Sequence, residues 1–141
     1  MDDVYQRAGN DCGPAALAHC LRRLGVPAAY PDPASPLRPG LRGCRLEDLA
    51  TEARRCGLHA RARRADRRRL RSLAVPALLH VDGNHFVVLE GREPGAGWVV
   101  HDPARGRARW TARTLIRRWT GWVLEVRTAL GPVVPEQAPE W

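Results

Sequence analysis

A thiol attacks a carbonyl only as its thiolate, and near neutral pH an ordinary cysteine is mostly protonated. The sequence holds four cysteines, Cys12, Cys20, Cys44 and Cys56. Cys12 stands just ahead of Gly13-Pro14 and of a run, Ala15 to Leu24, with apolar residues at helical spacing that stops at Gly25. Pro14 suits the first turn of a helix, where its missing N–H costs nothing. Cys12 is thereby placed at a helix N-terminus, whose partial positive charge favours the thiolate. Gly13 is expected to leave room for a substrate backbone to approach the sulfur. Cys20 and Cys56 sit in apolar helical stretches and read as small buried hydrophobes. No two cysteines form a C-x-x-C pair, and no Cys/His cluster has zinc-ligand spacing, so neither a metal nor an organic cofactor is implied.

A catalytic thiol needs a base, and there are five histidines. His19 lies inside the first helix, where it packs or faces solvent. His59 follows a helix end, and His80 sits within an apolar run as a core or edge residue. His101 should point to the strand face opposite Asp102, by alternation. His85 opens a strand directly after the turn residues Asp82-Gly83-Asn84, at a sheet edge where a site can form. It is the candidate base; the other reading is a structural turn histidine. Asp102, at the end of the next strand, can bond one ring nitrogen, fix the tautomer and stabilise the imidazolium. Asp102-Pro103 is also turn chemistry, and a turn would hold the carboxylate rigid. Gln6, six residues before Cys12, is the candidate oxyanion donor together with the Cys12 N–H. Such a donor is worth about 3 to 4 kcal/mol.

The elements that must position these groups follow from the pattern. After the first helix, Pro27 to Gly43 carries five prolines and reads as a surface loop. A second helix is expected over Arg45 to Cys56, then a short strand from Leu58 to Ala62, then a short basic helix capped by Asp66. Strands follow over Val75–Val81, His85–Glu90, Trp98–Asp102 and Ala108–Trp110. A helix capped by Thr111 runs over Ala112–Trp119, and Trp122–Val126 closes the sheet. Helices first, then an antiparallel meander, is an α+β layout with the helices packed on the sheet. Residues 1–128 form one domain, and 129–141, rich in Pro and Glu, read as a tail or linker stub.

At this point the residues resemble a family. Gln6 and Asp11-Cys12-Gly13-Pro14-Ala15-Ala16-Leu17-Ala18 are similar to the cysteine motif of the bacteriocin-processing, double-glycine leader peptidases, found as N-terminal domains of peptide-exporting ABC transporters. His85-Phe86-Val87-Val88-Leu89 resembles their histidine motif, Asp102-Pro103-Ala104-Arg105-Gly106 their aspartate motif, and Trp119 to Leu124 the end of their domain. The resemblance runs over about residues 4 to 127. It implies a papain-like fold and cleavage after Gly-Gly or Gly-Ala in a leader peptide. It also implies Cys12 as nucleophile, His85 as base, Asp102 as orienting residue and Gln6 as oxyanion donor. An ABC exporter is the implied partner. Two features depart from the pattern: no nucleotide-binding G-x-x-x-x-G-K-[ST] is present, and the Pro27 to Gly43 loop is rich in proline and arginine.

Composition sets the bounds. The 141 residues are 44% hydrophobic and 27% charged, the balance of a globular domain. No apolar run approaches the roughly 18 to 20 residues of a membrane span, and the acidic N-terminus does not read as a signal peptide. The expectation is a cytoplasmic protein without direct membrane insertion, held at the inner face of the membrane through an exporter if at all. The formal charge is +8, and all 23 basic residues are arginine. Arginine without lysine reads as a bias of base composition rather than as a need for charge. Arg61 to Arg69 still offers an alternative, a basic module that binds nucleic acid or a leader peptide. No aromatic residue interleaves with those arginines to stack on bases, so no nucleic acid is expected. A further alternative keeps the chemistry and changes the substrate: a stand-alone peptidase or amide hydrolase.

Overall fold

The computed structural model describes residues 3–32, 34–37, 43–93, 95 and 97–128. The tail at 129–141 and part of the proline-rich loop lie outside the described residues. Helix α1 spans Cys12–Arg23 and α2 spans Leu46–Arg55. They are followed by strand β1 (Leu58–Arg64), a 3-10 turn (Arg67–Ser72), β2 (Ala77–Val81), β3 (His85–Glu93), β4 (Gly97–Asp102), β5 (Gly106–Trp110), α3 (Ala112–Arg118) and β6 (Trp119–Thr128).

Local chemistry sets these bounds. The first helical bond of α1 runs from the Ala15 N–H to the Asp11 carbonyl, so Pro14 falls where no N–H is required. The helix ends at Gly25, with φ +83°. There the Val26 N–H reaches Leu21 and the Gly25 N–H reaches Arg22, a Schellman closure. Asp66 caps the 3-10 turn by accepting from the Arg68 N–H, and Thr111 caps α3 by accepting from the Thr114 N–H. Asp82 (φ 56°) and Gly83 (φ 76°) take the left-handed conformation that a tight hairpin between β2 and β3 requires.

The sheet is wholly antiparallel, in the order β1-β6-β2-β3-β4-β5. The expected meander is therefore right only for β2 to β5. Strand β6 does not close the sheet at an edge; it returns to lie between β1 and β2. The reason is burial on both faces, since Leu124 and Val126 join the core under α1 and α2 while Val123 joins the opposite core. Successive residues of β2 and β3 divide in the same way. Leu78, Phe86 and Val88 face the helices; Leu79, Val87 and Leu89 face a second core with Trp98, Trp110, Leu115 and Trp119. The helices do pack on an antiparallel sheet, as expected, and α3 with the 3-10 turn covers the other side. Among the described residues no helix is long and apolar enough to cross a membrane. The basic stretch from Arg61 to Arg69 runs from edge strand β1, in which Arg63 pairs with the buried Glu125, into the 3-10 turn.

Candidate active site

Three elements converge on the sulfur: the start of α1, the start of β3 and the end of β4. Cys12 is the first residue of α1 and is only 5% exposed. The His85 Nε2 lies 2.7 Å from Asp102 Oδ1, and His85 is also hydrogen-bonded to Cys12. With Nε2 committed to the carboxylate, Nδ1 is the nitrogen left for the thiol. Asp102 is held in turn by its own β-turn. Its Oδ1 accepts the Ala104 N–H at 2.8 Å, and its carbonyl accepts the Arg105 N–H. Both readings of Asp102-Pro103 thus apply at once, a turn and a fixed carboxylate.

The electrostatics separate Cys12 from the other cysteines. Burial alone would raise its pKa. Hydrogen bonds from His85 and from the backbone N–H groups of Phe86 and Gly13, with the His85 charge, outweigh burial and hold it below the usual thiol value. Burial pushes Cys20 up to about 12 and Cys44 up to about 11, the latter helped by Asp48. Cys56 is raised by desolvation, although it is exposed, which corrects the expectation that it is buried. All four cysteines are free thiols. His85 is raised to about 9, first by its hydrogen bond to Asp102 and then by that to Cys12, against desolvation. Asp102 is held below the usual carboxylate range: burial would raise it, but His85 and the Ala104 N–H prevail. Together these interactions favour the ion-pair form, with thiolate, imidazolium and carboxylate in a row.

The sulfur opens onto a cleft of about 460 Å³ lined by Gly9, Asn10, Cys12, Gly43, Cys44, His80, Gly83, Asn84 and Phe86. Gly13 does not face this cleft. A Cβ there would meet Leu49 Cδ1 at 3.2 Å, Phe86 Cδ2 at 3.4 Å and Cys44 Cβ at 3.5 Å. The glycine lets the helix start sit against the sheet, rather than leaving space for substrate as expected.

Gln6 lies beside the Asp102 turn, its backbone N–H on the Pro103 carbonyl. Its side-chain Nε2 donates to the Ala8 carbonyl at 2.8 Å, so one amide hydrogen is turned to its own loop and not to the sulfur. Its buried Oε1 has no partner among the described residues. The loop between Gln6 and Cys12 is organised by Asp11, a residue to which sequence reasoning gave no role. The Asp11 carboxylate does not cap the helix. It accepts the N–H groups of Arg7 and Ala8, both at 2.8 Å, and the Tyr30 hydroxyl. An acid just before a helix is the expected cap; that this one binds instead the two N–H groups behind it and a hydroxyl 19 residues ahead is visible only in three dimensions.

The remaining histidines separate cleanly. His19 packs, since its Nδ1 accepts the Val4 N–H and its Nε2 meets Glu90 at 2.8 Å. His101 points away from Asp102's partner as expected: its Nε2 is 2.7 Å from the Val4 carbonyl, and its ring stacks on His19 at 3.8 Å. His59 lies on β1. His80 is half-buried and lines the cleft.

A family model for the Peptidase C39 family matches residues 2–130. The chain belongs to the Peptidase C39 family. A C39 peptidase is a cysteine peptidase, a hydrolase of peptide bonds, in agreement with the thiolate pair. Among its relatives is the probable microcin-H47 secretion/processing ATP-binding protein MchF of Escherichia coli, 32% identical over 123 residues, 87% of this chain and 18% of that protein. The chain therefore spans about a fifth of that relative's length. The probable functional amyloid protease FapD of Pseudomonas aeruginosa is 32% identical over 139 residues, 89% of this chain and 60% of FapD. A solved double-glycine-motif protease from an AMS/PCAT transporter, in complex with its leader peptide, superposes with a TM-score of 0.79 at 27% identity, covering 91% of each chain. The papain-like C39 fold implied by the motifs is thus the fold observed.

Proposed function

We propose that this C39 domain is an endopeptidase that cleaves leader peptides after a Gly-Gly or Gly-Ala pair during the maturation and export of bacterial peptides, with Cys12 as nucleophile. The observation that carries the reading is the hydrogen-bonded row Asp102–His85–Cys12 ending in a cleft, with Cys12 the one cysteine whose thiol is lowered. The likeness to a double-glycine-motif protease and to a microcin-processing exporter supports the substrate class.

The Cys12 thiolate attacks the carbonyl carbon of the second residue of the pair. The oxyanion is met by the Cys12 N–H and by Gln6, whose second amide hydrogen faces the sulfur once the side chain leaves Ala8 or turns about its own axis. The His85 imidazolium then gives its proton to the leaving amine, the C–N bond breaks and a thioester remains. Water, deprotonated by His85, displaces the thiolate and releases the leader with a free carboxylate. Asp102 keeps the imidazole in the orientation that serves both steps. The domain works in the cytoplasm, on peptides presented at the inner face of the membrane by an ABC exporter. Residues 1–128 are the catalytic unit, with 129–141 outside it as a tail or linker stub.

The test is a panel of leader peptides ending in Gly-Gly, Gly-Ala, Ala-Ala and Val-Val, each followed by several residues, with cleavage read by mass spectrometry under reducing conditions. Cutting confined to the first two peptides and lost in Cys12→Ala is the expected result. Equal identity to an amyloid protease favours one other reading, the same chemistry on another secreted substrate. It would show as an alkylatable Cys12 thiolate in a protein that cuts none of the four.

A further inference from the structure

His80 stands in the cleft but takes no part in the catalytic row. It lies on β2 directly opposite Phe86 of β3, and the two rings are 5.1 Å apart. Phe86 in turn contacts the start of α1 at Gly13, so His80 occupies the same face of the sheet as Cys12. Its ring is fixed from the other side by Thr120 of β6, with Nδ1 2.9 Å from the Thr120 Oγ1.

The tautomer follows from counting hydrogens. Thr120 has one hydroxyl hydrogen, which it donates to the His80 carbonyl at 3.0 Å. The Oγ1 can then only accept from the ring, so His80 carries its proton on Nδ1. Nε2 is left with a lone pair, and among the described residues it has no hydrogen-bond partner. The ring stays neutral near pH 7. Burial lowers its pKa, and the imidazolium of His85 on β3 lowers it further. The other titratable groups lining this cleft are the Cys12 thiol on α1 and Cys44 ahead of α2. The structure therefore offers a rigid, neutral hydrogen-bond acceptor beside the nucleophile.

An extended peptide entering the cleft must exchange the water on its main-chain N–H groups for protein acceptors. Three of the lining residues, Gly9, Gly43 and Gly83, have no side chain to offer one. We propose that His80 is a substrate-positioning residue whose Nε2 accepts a main-chain N–H of the peptide bound next to Cys12. This assignment rests on the peptidase reading above. It adds a contact made with any peptide backbone, whatever its side chains.

The experiment measures binding of a Gly-Gly leader peptide to the Cys12→Ala protein, and kcat and KM in the active one, for wild type, His80→Phe, His80→Gln and Thr120→Val. Loss of one neutral hydrogen bond predicts a rise in Kd and KM of roughly 3- to 10-fold in His80→Phe. The iodoacetamide rate at Cys12 should be unchanged, and His80→Gln, which restores an acceptor, should recover part of the affinity. Thr120→Val keeps the imidazole but frees its tautomer, and should give a smaller rise. The decisive readout is a scan of singly N-methylated peptides. One methyl should weaken binding to wild type and have no further effect on His80→Phe. If every N-methyl peptide loses equal affinity for both proteins, or if KM is unmoved in His80→Phe, the assignment is wrong. If wild type neither binds nor cuts the parent peptide while Cys12 alkylates normally, the substrate reading has failed and takes this one with it.

Discussion

Four thiols share this chain, and their surroundings assign them different fates. Cys20 is sealed in the core, Cys44 is raised in the cleft wall, Cys56 is exposed at a helix end, and Cys12 meets His85 and two backbone N–H groups. The pair depends most on Asp102, the first cause of the rise of His85 to about 9. A histidine raised in this way keeps its proton, and the pair its charge, until the pH climbs through about 9. In Asp102→Asn the imidazole should return toward its ordinary value near 6.5. The alkaline limb of the peptide-cleavage profile, where the imidazolium must still hold the proton it gives to the leaving amine, should move down accordingly, and cleavage should fall by a factor on the order of 100 or more. An alkaline limb that stays near 9 would remove Asp102 from the role. Residue types and order made Cys12, His85 and Asp102 legible in the sequence, because each carries its chemistry in its side chain. Asp11 and His80 were not legible. Tyr30, which binds Asp11, and Thr120, which binds His80, are brought near only by folding, and nothing in the residue types of the loop says that the N–H groups of Arg7 and Ala8 turn onto Asp11.

At the scale of elements, the site exists because α1 begins almost in contact with the sheet. Gly13 permits that approach. A Cβ there would stand 3.2 Å from a Leu49 methyl, closer than ordinary contact, and against Phe86 and Cys44. Gly13→Ala should cost about 1 to 3 kcal/mol, as overpacking of a tight interface does. It should also reduce cleavage more than the lost stability explains, because the start of α1 carries the sulfur. Denaturant melts and the specific activity of the fully folded fraction check both parts. A fully active, fully stable variant would contradict the packing account. The periodic helices, the caps at Asp66 and Thr111 and the Asp82-Gly83 turn were readable locally, since each is fixed by residues within a few positions of itself. The place of β6 was not. Its apolar residues on both faces demand the middle of the sheet, and strand order is a long-range property that no local signal encodes.

At the scale of the molecule, the segment before α1 is laced across the whole domain. Val4 gives its N–H to His19 of α1, and its carbonyl meets His101 of β4. Asp3 binds Arg107 of β5, which also binds the buried Glu90 of β3. Gln6 lies on this same segment, so the lacing sets where the candidate oxyanion donor stands. His19 must be neutral to accept from Val4, and burial lowers its pKa despite Glu90. Between that lowered value and about 6.5 the unfolded chain binds the proton that the folded chain refuses. The His19 contribution is therefore complete above about 6.5 and declines as the pH falls, with His80 acting in the same direction. His85, raised to about 9, acts in the opposite one: its contribution is complete below about 6.5 and is lost as the pH climbs. Urea melts of wild type and His19→Gln at pH 7.5, 6.5, 5.5 and 5.0 separate them: the variant should be less stable at pH 7.5, and the gap between the two proteins should narrow as the pH falls. A gap that stays constant or widens toward pH 5 would show that His19 is not kept neutral.

The central claim is that Cys12 reacts with a peptide carbonyl presented by a glycine pair. Its most direct test is the intact mass of the protein after exposure to a leader peptide ending in Gly-Gly-chloromethyl ketone, beside the same peptide ending in Val-Val. The account predicts one peptide adduct per chain, mapped to Cys12, formed far faster with Gly-Gly and absent in Cys12→Ala. An adduct that survives in Cys12→Ala, or one that forms equally fast on both peptides, would contradict it.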